Sequence, residues 1–222
     1  MRKLHWWALP IVLAASTALG GCGAIGYLLA NIAPELPGPK VAAQYEGLND
    51  RTVAVVVFAD MNVLFEHPTV REDVGGAINR ELQANLKNVR IIDPRQVVRY
   101  QDGHPGWRGE GLPEVGKKLG ADSVLYVCLA EFATQERGSL SLPKGRISGQ
   151  VSVWDVLPVK AGEDPCRWRQ ESASITLEPP AGTWMDRQRL RQATQEAFAQ
   201  HVVRYFHSYR LKNGSPSQAG PS

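Results

Sequence analysis

The first residues whose types could carry chemistry follow an apolar run that ends at Ala59. Asp60, Asn62, Glu66 and His67 place two carboxylates, an amide and an imidazole close together in the chain. At the carboxyl end of a parallel strand, such side chains could bind a small ligand or a hard cation. The same residue types are common in turns, where they bond to the local backbone. We favour this second, structural interpretation.

A second group lies in the glycine-rich stretch 101–111, which we predict to be a long loop. Asp102, His104, Trp107 and Arg108 lie within it, and Trp and Arg are frequent contact residues in protein interfaces. The stretch is therefore a candidate partner-binding loop. The alternative is a structured surface loop whose Trp107 folds back onto the domain. The glycine spacing does not fit a phosphate-binding loop.

The cysteines offer a third kind of chemistry. Cys128 lies in an apolar, strand-like run, and Cys166 opens another strand. In an oxidising compartment the two could form a disulfide, and the alternative is a buried free thiol at Cys128. The chain has no C-x-x-C motif, its five histidines are scattered, and no serine lies in a G-x-S-x-G elbow. We therefore predict no metal site, no cofactor and no enzymatic activity.

The N-terminal segment has the pattern of an export signal. Arg2 and Lys3 precede an apolar run that closes on residues 19–22, which read Leu-Gly-Gly-Cys. Ending on Cys22, the run resembles the lipobox of bacterial lipoproteins. This resemblance implies cleavage before Cys22 and acylation of its thiol and new amine. More than one acyl chain gives stable attachment to a bilayer. We therefore expect a membrane-anchored protein of the cell envelope that faces the periplasm.

Two alternatives to lipidation stay open. No Asp, Glu, Lys or Arg lies between Lys3 and Glu35, so the segment could instead be an uncleaved signal anchor. An ordinary signal with an incidental Cys22 is the third interpretation. Gly23 follows the cysteine where an Asp would be the usual signal for retention in the inner membrane of enteric bacteria, which slightly favours the outer membrane.

Composition divides the chain into four segments. We predict a signal peptide over residues 1–21, a lipidated tether over 22–50, a single domain over 51–211 and a disordered tail over 212–222.

The full chain has 25 Lys and Arg against 22 Asp and Glu, a net charge of +3. Loss of Arg2 and Lys3 with the signal peptide leaves +1, so we predict no nucleic-acid partner.

The domain alternates strands and helices in the order β-α-β-α-β-β-β-α. A valine-rich strand is predicted at 52–59, and a helix follows whose Thr69 and Glu72 have the spacing of a capping box. A helix over 112–119 should stop at Gly120. Further strands are predicted at 89–93, 122–133, 146–156 and 167–177, and a long helix at 186–209. The fold class is therefore α/β, with a mixed sheet of about five strands and helices packed on it.

The stretch from Leu119 to Tyr126, which reads LGADSVLY, resembles a helix-to-strand turn of a group of envelope lipoproteins. The group includes the curli-secretion lipoprotein, the activators of penicillin-binding proteins and the N-terminal domain of TolB. Its element order is similar over residues 52–209. The resemblance implies the same fold and no shared catalytic residues. No pair of long alternating strands suits a membrane pore, so we predict none.

Three hypotheses for function follow. The first is a non-catalytic, membrane-anchored binding or assembly module with a protein partner in the envelope. The second is an enzyme or small-ligand binder that uses Asp60, Glu66 and His67 with the 101–111 stretch. The third is a subunit of an oligomeric secretion complex, which would make the protein a homo-oligomer.

Overall fold

The computed structural model describes residues 38–135, 143–156, 163–179 and 185–211. The predicted signal peptide, Cys22, most of the predicted tether and the predicted tail lie outside these ranges. Two compact units are described. The smaller one contains a pair of two-residue strands, and the larger one spans residues 42–208. None of the helices in the described ranges is long and apolar enough to span a membrane.

The described residues form seven strands and six helices. The strands are β1 (Lys40–Val41), β2 (Thr52–Ala59), β3 (Arg90–Ile91), β4 (Ser123–Gln135), β5 (Pro143–Asp155), β6 (Cys166–Leu177) and β7 (Tyr209–Arg210). The helices are α1 (Met61–Glu66), α2 (Val70–Asn85), α3 (Pro94–Gly103), α4 (Trp107–Glu110), α5 (Leu112–Leu119) and α6 (Arg187–Val203). In the smaller unit, β1 pairs antiparallel with β7.

The larger unit is built on a five-stranded mixed sheet with the strand order β3-β2-β4-β5-β6. Strand β2 is parallel to β3 and β4, whereas β5 is antiparallel to β4 and β6. The valine-rich β2 lies between β3 and β4 and is almost entirely buried, as expected of a parallel strand covered on both faces. The predicted α/β mixed sheet, with its parallel beginning and antiparallel meander, is confirmed.

Helices cover the two faces of the sheet unequally. Helices α2 and α6 pack on one face over the larger core, which extends from β2 to β6. The predicted apolar stripe of α2 is buried there and consists of Val70, Val74, Ile78, Leu82 and Leu86. A smaller core on the other face joins β2 and β4 to residues of α3, α4 and α5. The smaller core stops short of most of β5 and β6, where more accessible side chains alternate with buried ones.

Aspartates start three of the helices. The side chains of Asp60, Asp93 and Asp186 accept hydrogen bonds from backbone N–H groups in the first turns of α1, α3 and α6. The capping box predicted at Thr69 is wrong, because its hydroxyl donates to the Asp73 carboxylate at 2.8 Å and caps no backbone N–H. Helix α5 ends as predicted at Gly120, which has a left-handed φ of 75°.

Three predicted boundaries also differ from the structure. Residues 101–111 are not one long loop, because α3 continues to Gly103 and α4 forms within the stretch. Helix α6 ends at Val203, not at residue 209. Leu48 is fully buried, and Tyr45 makes an edge contact with the ring of Phe206 at 6.5 Å. Packing therefore begins within the stretch predicted to be a tether.

Candidate functional site

The residues after β2 form a short helix rather than an open ligand-binding loop. The Oδ1 atom of Asp60 accepts the backbone N–H of Val63 at 2.9 Å, which fixes the start of α1. Asn62 and Glu66 are exposed on that helix. Asp60 therefore acts as a helix cap, in agreement with the structural interpretation of this group.

His67 ends α1 and packs into the domain. Its ring lies 4.5 Å from the ring of Phe132, measured between centroids. Burial lowers the pKa of His67; the nearby Glu66 carboxylate opposes this effect, and the Arg191 guanidinium adds to it. The imidazole is thus biased towards its neutral form. It lines a cavity of about 520 Å³ at the carboxyl end of β4, together with Glu66 and residues of the first turns of α6.

Helix α1 also carries a feature that the sequence analysis missed. Met61 and Phe65 are 79% and 88% exposed, and they stand four residues apart on one side of the helix. Val63, on the opposite side, is buried and holds the helix against the core. Residues 61–65 are mostly apolar in the sequence, which indicates a packed or binding segment. Only the structure shows which of these residues is buried and which two are exposed.

Trp107 does not face a partner. Its side chain is 6% exposed and makes edge contacts with Phe58 and Tyr126, at centroid distances of 6.4 Å and 6.5 Å. The indole therefore belongs to the smaller core. The stretch 101–111 folds back on the sheet around this ring. This arrangement matches the alternative interpretation, a structured surface stretch, and not a partner-binding loop.

The three other residues singled out in that stretch each have a local partner. Arg108 lies over the Phe58 ring, with its Cζ atom 3.9 Å from the ring centroid, and this is a cation–π contact. His104 stacks on Tyr100 at 4.4 Å. Asp102 accepts a hydrogen bond from Arg71 at 2.7 Å. The set is spread around the ends of α3 and α4 and does not converge on one point.

The two groups predicted from sequence lie on different faces of the sheet. His67 contacts Phe132, a member of the larger core, whereas Trp107 and Phe58 belong to the smaller core. A joint catalytic site built from Asp60, Glu66 and His67 with the 101–111 stretch is therefore not assembled. Among the described residues, no group of three or more His, Cys, Asp and Glu side chains could hold a metal ion.

Cys128 and Cys166 are free, half-buried thiols, so the structure has the free-thiol alternative and not the possible disulfide. Strand β5 lies between their strands, which keeps the two residues apart. Cys128 instead neighbours Tyr126, whose pKa is raised to about 12 by burial and by Cys128, against the opposing effect of Arg108. The phenol therefore stays neutral at physiological pH.

No protein-family model matches the chain, and no curated protein matches it. Among solved structures, a PelC dodecamer from Paraburkholderia phytofirmans is similar at 14% identity and a TM-score of 0.43, covering 78% of this chain and 94% of that one. Lipoprotein GNA1162 from Neisseria meningitidis is 14% identical with a TM-score of 0.41, covering 68% and 94%. The hypothetical protein CT253 from Chlamydia trachomatis is 15% identical with a TM-score of 0.42, covering 70% and 96%. At these TM-scores we draw no conclusion from the likenesses.

Proposed function

We propose that this protein is a membrane-anchored module of the cell envelope that binds a partner protein and has no catalytic role. The observation that carries the proposal is the exposed Met61 and Phe65 pair on α1. Burial of one such side chain is worth roughly 1.5–3 kcal/mol, so two adjacent ones form a strong contact point for an apolar partner surface.

The pair is presented by a fixed helix. The Asp60 cap defines its first turn, and the buried Val63 attaches its inner side to the core. A partner would therefore meet a preorganised surface and lose little conformational freedom in the protein on binding. The exposed carboxylates of Asp60 and Glu66 flank the pair. Because negative charge is repelled by anionic lipid headgroups, we assign the pair to a protein surface rather than to the bilayer.

The location rests on the N-terminal sequence. The positive start, the apolar run and Cys22 support export and acylation, which would attach the chain to a membrane outside the cytoplasm. Residues between Cys22 and the first described strand would then connect the anchor to the domain.

A homo-oligomer is the second candidate, and strand β6 favours it. This strand of twelve residues is the last in the sheet, and no described strand pairs with its outer edge. Residues 172–177 of the strand carry no charge, so that half lacks the charged side chains that usually protect an exposed edge. A second copy of the chain could pair there. Native mass measurement of the purified chain tests this candidate directly.

Photo-crosslinking in cells tests the main proposal. A photoreactive amino acid at position 65 should join the chain to one discrete protein, whereas the same group at Arg189, on an exposed face of α6, should not. The Met61→Ser/Phe65→Ser double variant should lose the co-purifying partner. Leu211→Ser is the matched control, because Leu211 is the other large apolar side chain exposed among the described residues. Crosslinking to lipid alone, or a partner that the double variant retains, would rule the proposal out.

A further inference from the structure

A polar cleft of about 600 Å³ lies between α2 and α6, bounded at one end by the chain from Ile91 to Arg95. No part of the proposed partner surface on α1 lines it. Most of its lining consists of amide and charged side chains from the facing sides of the two helices. Paired helices usually bury apolar stripes against each other, so this polar lining requires an explanation.

Two buried amides in the cleft each have one polar atom without a hydrogen-bond partner among the described residues. Asn79 and Gln195 are each only 6% exposed, and both line the cleft. Asn79 donates through Nδ2 to the backbone oxygen of Ile92 at 3.2 Å, but its Oδ1 has no partner among the described residues. The Nε2 group of Gln195 also has none within the described ranges. A buried polar atom left without a partner costs roughly 1–3 kcal/mol, so most native proteins avoid it.

The charges along the cleft are unevenly neutralised. The carboxylates of Glu72 and Asp93 lie 3.6 Å and 3.9 Å from the Arg95 guanidinium. Asp73, the third carboxylate of the lining, accepts a hydrogen bond from the Thr69 hydroxyl at 2.8 Å. Arg80 and Arg191 also line the cleft, and the described part of the chain gives neither an ion pair. The cleft therefore offers two guanidinium groups to an acidic ligand, close to an unused amide donor and an unused amide acceptor.

We propose that this cleft binds an extended acidic peptide segment. Asn79 Oδ1 and Gln195 Nε2 are closed to solvent in the structure, so each side chain must rotate into the cleft on binding. One peptide unit then supplies an N–H to Asn79 Oδ1 and a C=O to Gln195 Nε2, and acidic side chains pair with Arg80 and Arg191. A simple anion such as phosphate dianion lacks the donor that Asn79 Oδ1 requires. Gln188 and Arg191 also line the cavity beside His67, so the two cavities adjoin along α6 and suit a chain-like ligand.

Fluorescence binding measurements with the full chain in detergent test this site. The probe is a labelled penta-glutamate peptide, acetylated and amidated at its ends, and penta-glutamine is the matched neutral peptide. We expect binding of the glutamate peptide, at least tenfold weaker binding of the glutamine peptide, and at least a tenfold loss of affinity in Arg191→Met and Gln195→Met. Arg189→Met is the control, because Arg189 lies on the same helix, is 81% exposed and does not line the cleft.

A second measurement separates a binding role from a structural one. Gln195→Met removes an unpartnered buried amide, so its Tm should equal or exceed that of the unchanged protein. A lowered Tm with unchanged peptide affinity would overturn the proposal. Displacement of the peptide by inorganic phosphate, with full affinity kept in Gln195→Met, would also overturn it by revealing an anion site only. The Met61→Ser/Phe65→Ser variant should bind the peptide normally, so this test is independent of the proposed partner surface.

Discussion

Arg51 and Asp155 form an ion pair in which Nη1 lies 2.5 Å from Oδ1. The other carboxylate oxygen of Asp155 accepts from Arg167 at 2.7 Å, and Arg51 also donates to Ser123 at 3.0 Å. The network joins the residue before β2 to the end of β5 and the start of β6, which lie far from it in sequence. The Asp155 side chain is only 12% exposed, so this carboxylate is shielded from water.

Replacement of Asp155 by Asn should therefore destabilise the fold. Arg51 would be left without a counter-charge and Arg167 would keep only Glu163, at 3.4 Å. A deeply buried broken pair costs several kcal/mol. Both arginines are about one-third exposed, which reduces the expected loss of unfolding free energy to about 2 kcal/mol. Urea unfolding measures it. Glu163→Gln, at the more exposed end of the network, should cost less than about 0.5 kcal/mol. Equal losses in the two variants would contradict this account.

Gly149 marks a point of close backbone approach between β4 and β5. A Cβ at this position would lie 2.5 Å from the backbone oxygen of Cys128. Backbone cannot move aside as a flexible side chain can, so Gly149→Ala should lower the unfolding free energy by about 1–3 kcal/mol. Gly109→Ala is the matched control, since no heavy atom lies within 4 Å of its Cβ position. Thermal unfolding of the two variants should differ clearly, and indistinguishable midpoints would refute the close approach.

Acidification should destabilise the domain through two histidines. Burial lowers the pKa of His201, and the positive charge of Arg204 lowers it further; burial is also the main cause of the lowered pKa of His67, to which Arg191 contributes. The folded state thus binds fewer protons than the unfolded state when the pH falls through about 6.5. The contribution of the two neutral histidines to the unfolding free energy is therefore complete above about pH 6.5. It is lost as the pH falls from there through their lower folded-state pKa values.

The measurement compares urea midpoints at about pH 7.5 and about pH 5.5. The His67→Gln/His201→Gln double variant should lose less stability on acidification than the unchanged protein. His201 also contacts the hydroxyl of Tyr205 at 2.9 Å, so we expect the variant to start from a lower midpoint. The pH-dependent difference is therefore the diagnostic quantity. An identical fall in both proteins would assign the acid sensitivity to other groups.

The sequence predicted the sheet well because its signals are local. The β-branched run of β2 gave the observed bounds of 52–59, and the spacing of apolar residues gave the buried stripe of α2. The stretch around Trp107 was missed because glycines suggested a loop. There, burial of the indole against Phe58 and Tyr126 stabilises a four-residue helix, and that contact depends on the tertiary fold.

The cleft was missed for a related reason. Asn79 and Gln195 are polar residues on amphipathic helices, and a polar residue is ordinarily assigned to the solvent-exposed side of such a helix. Their burial follows from the packing of α2 against α6, two helices that are far apart in the chain. The sequence pattern of each helix alone gives no indication of this contact. Met61 and Phe65 are the opposite case, because apolar residues are ordinarily assigned to the core. Here α1 packs against the core through Val63, which leaves Met61 and Phe65 exposed.

Cys128 and Cys166 should remain two separate thiols. Cys128 pairs with Gln150 of β5, and Cys166 pairs with Trp154 of the same strand. Two strand spacings separate the cysteines by about 9.6 Å across the sheet, and the offset of four residues along β5 adds about 13 Å in the other direction. A disulfide requires Cα atoms within about 7 Å, so the bond cannot form without loss of the sheet.

Protein purified without reductant and then unfolded should therefore be alkylated at both Cys128 and Cys166. Peptide mass mapping identifies the two modified sites. A parallel sample treated with reductant before alkylation is the control and should give the same pattern at these positions. A cross-linked peptide containing both cysteines, lighter by two hydrogens and lost on reduction, would show that the strand order β4-β5-β6 is wrong. The experiment thus tests the antiparallel meander as directly as it tests the chemistry of the thiols.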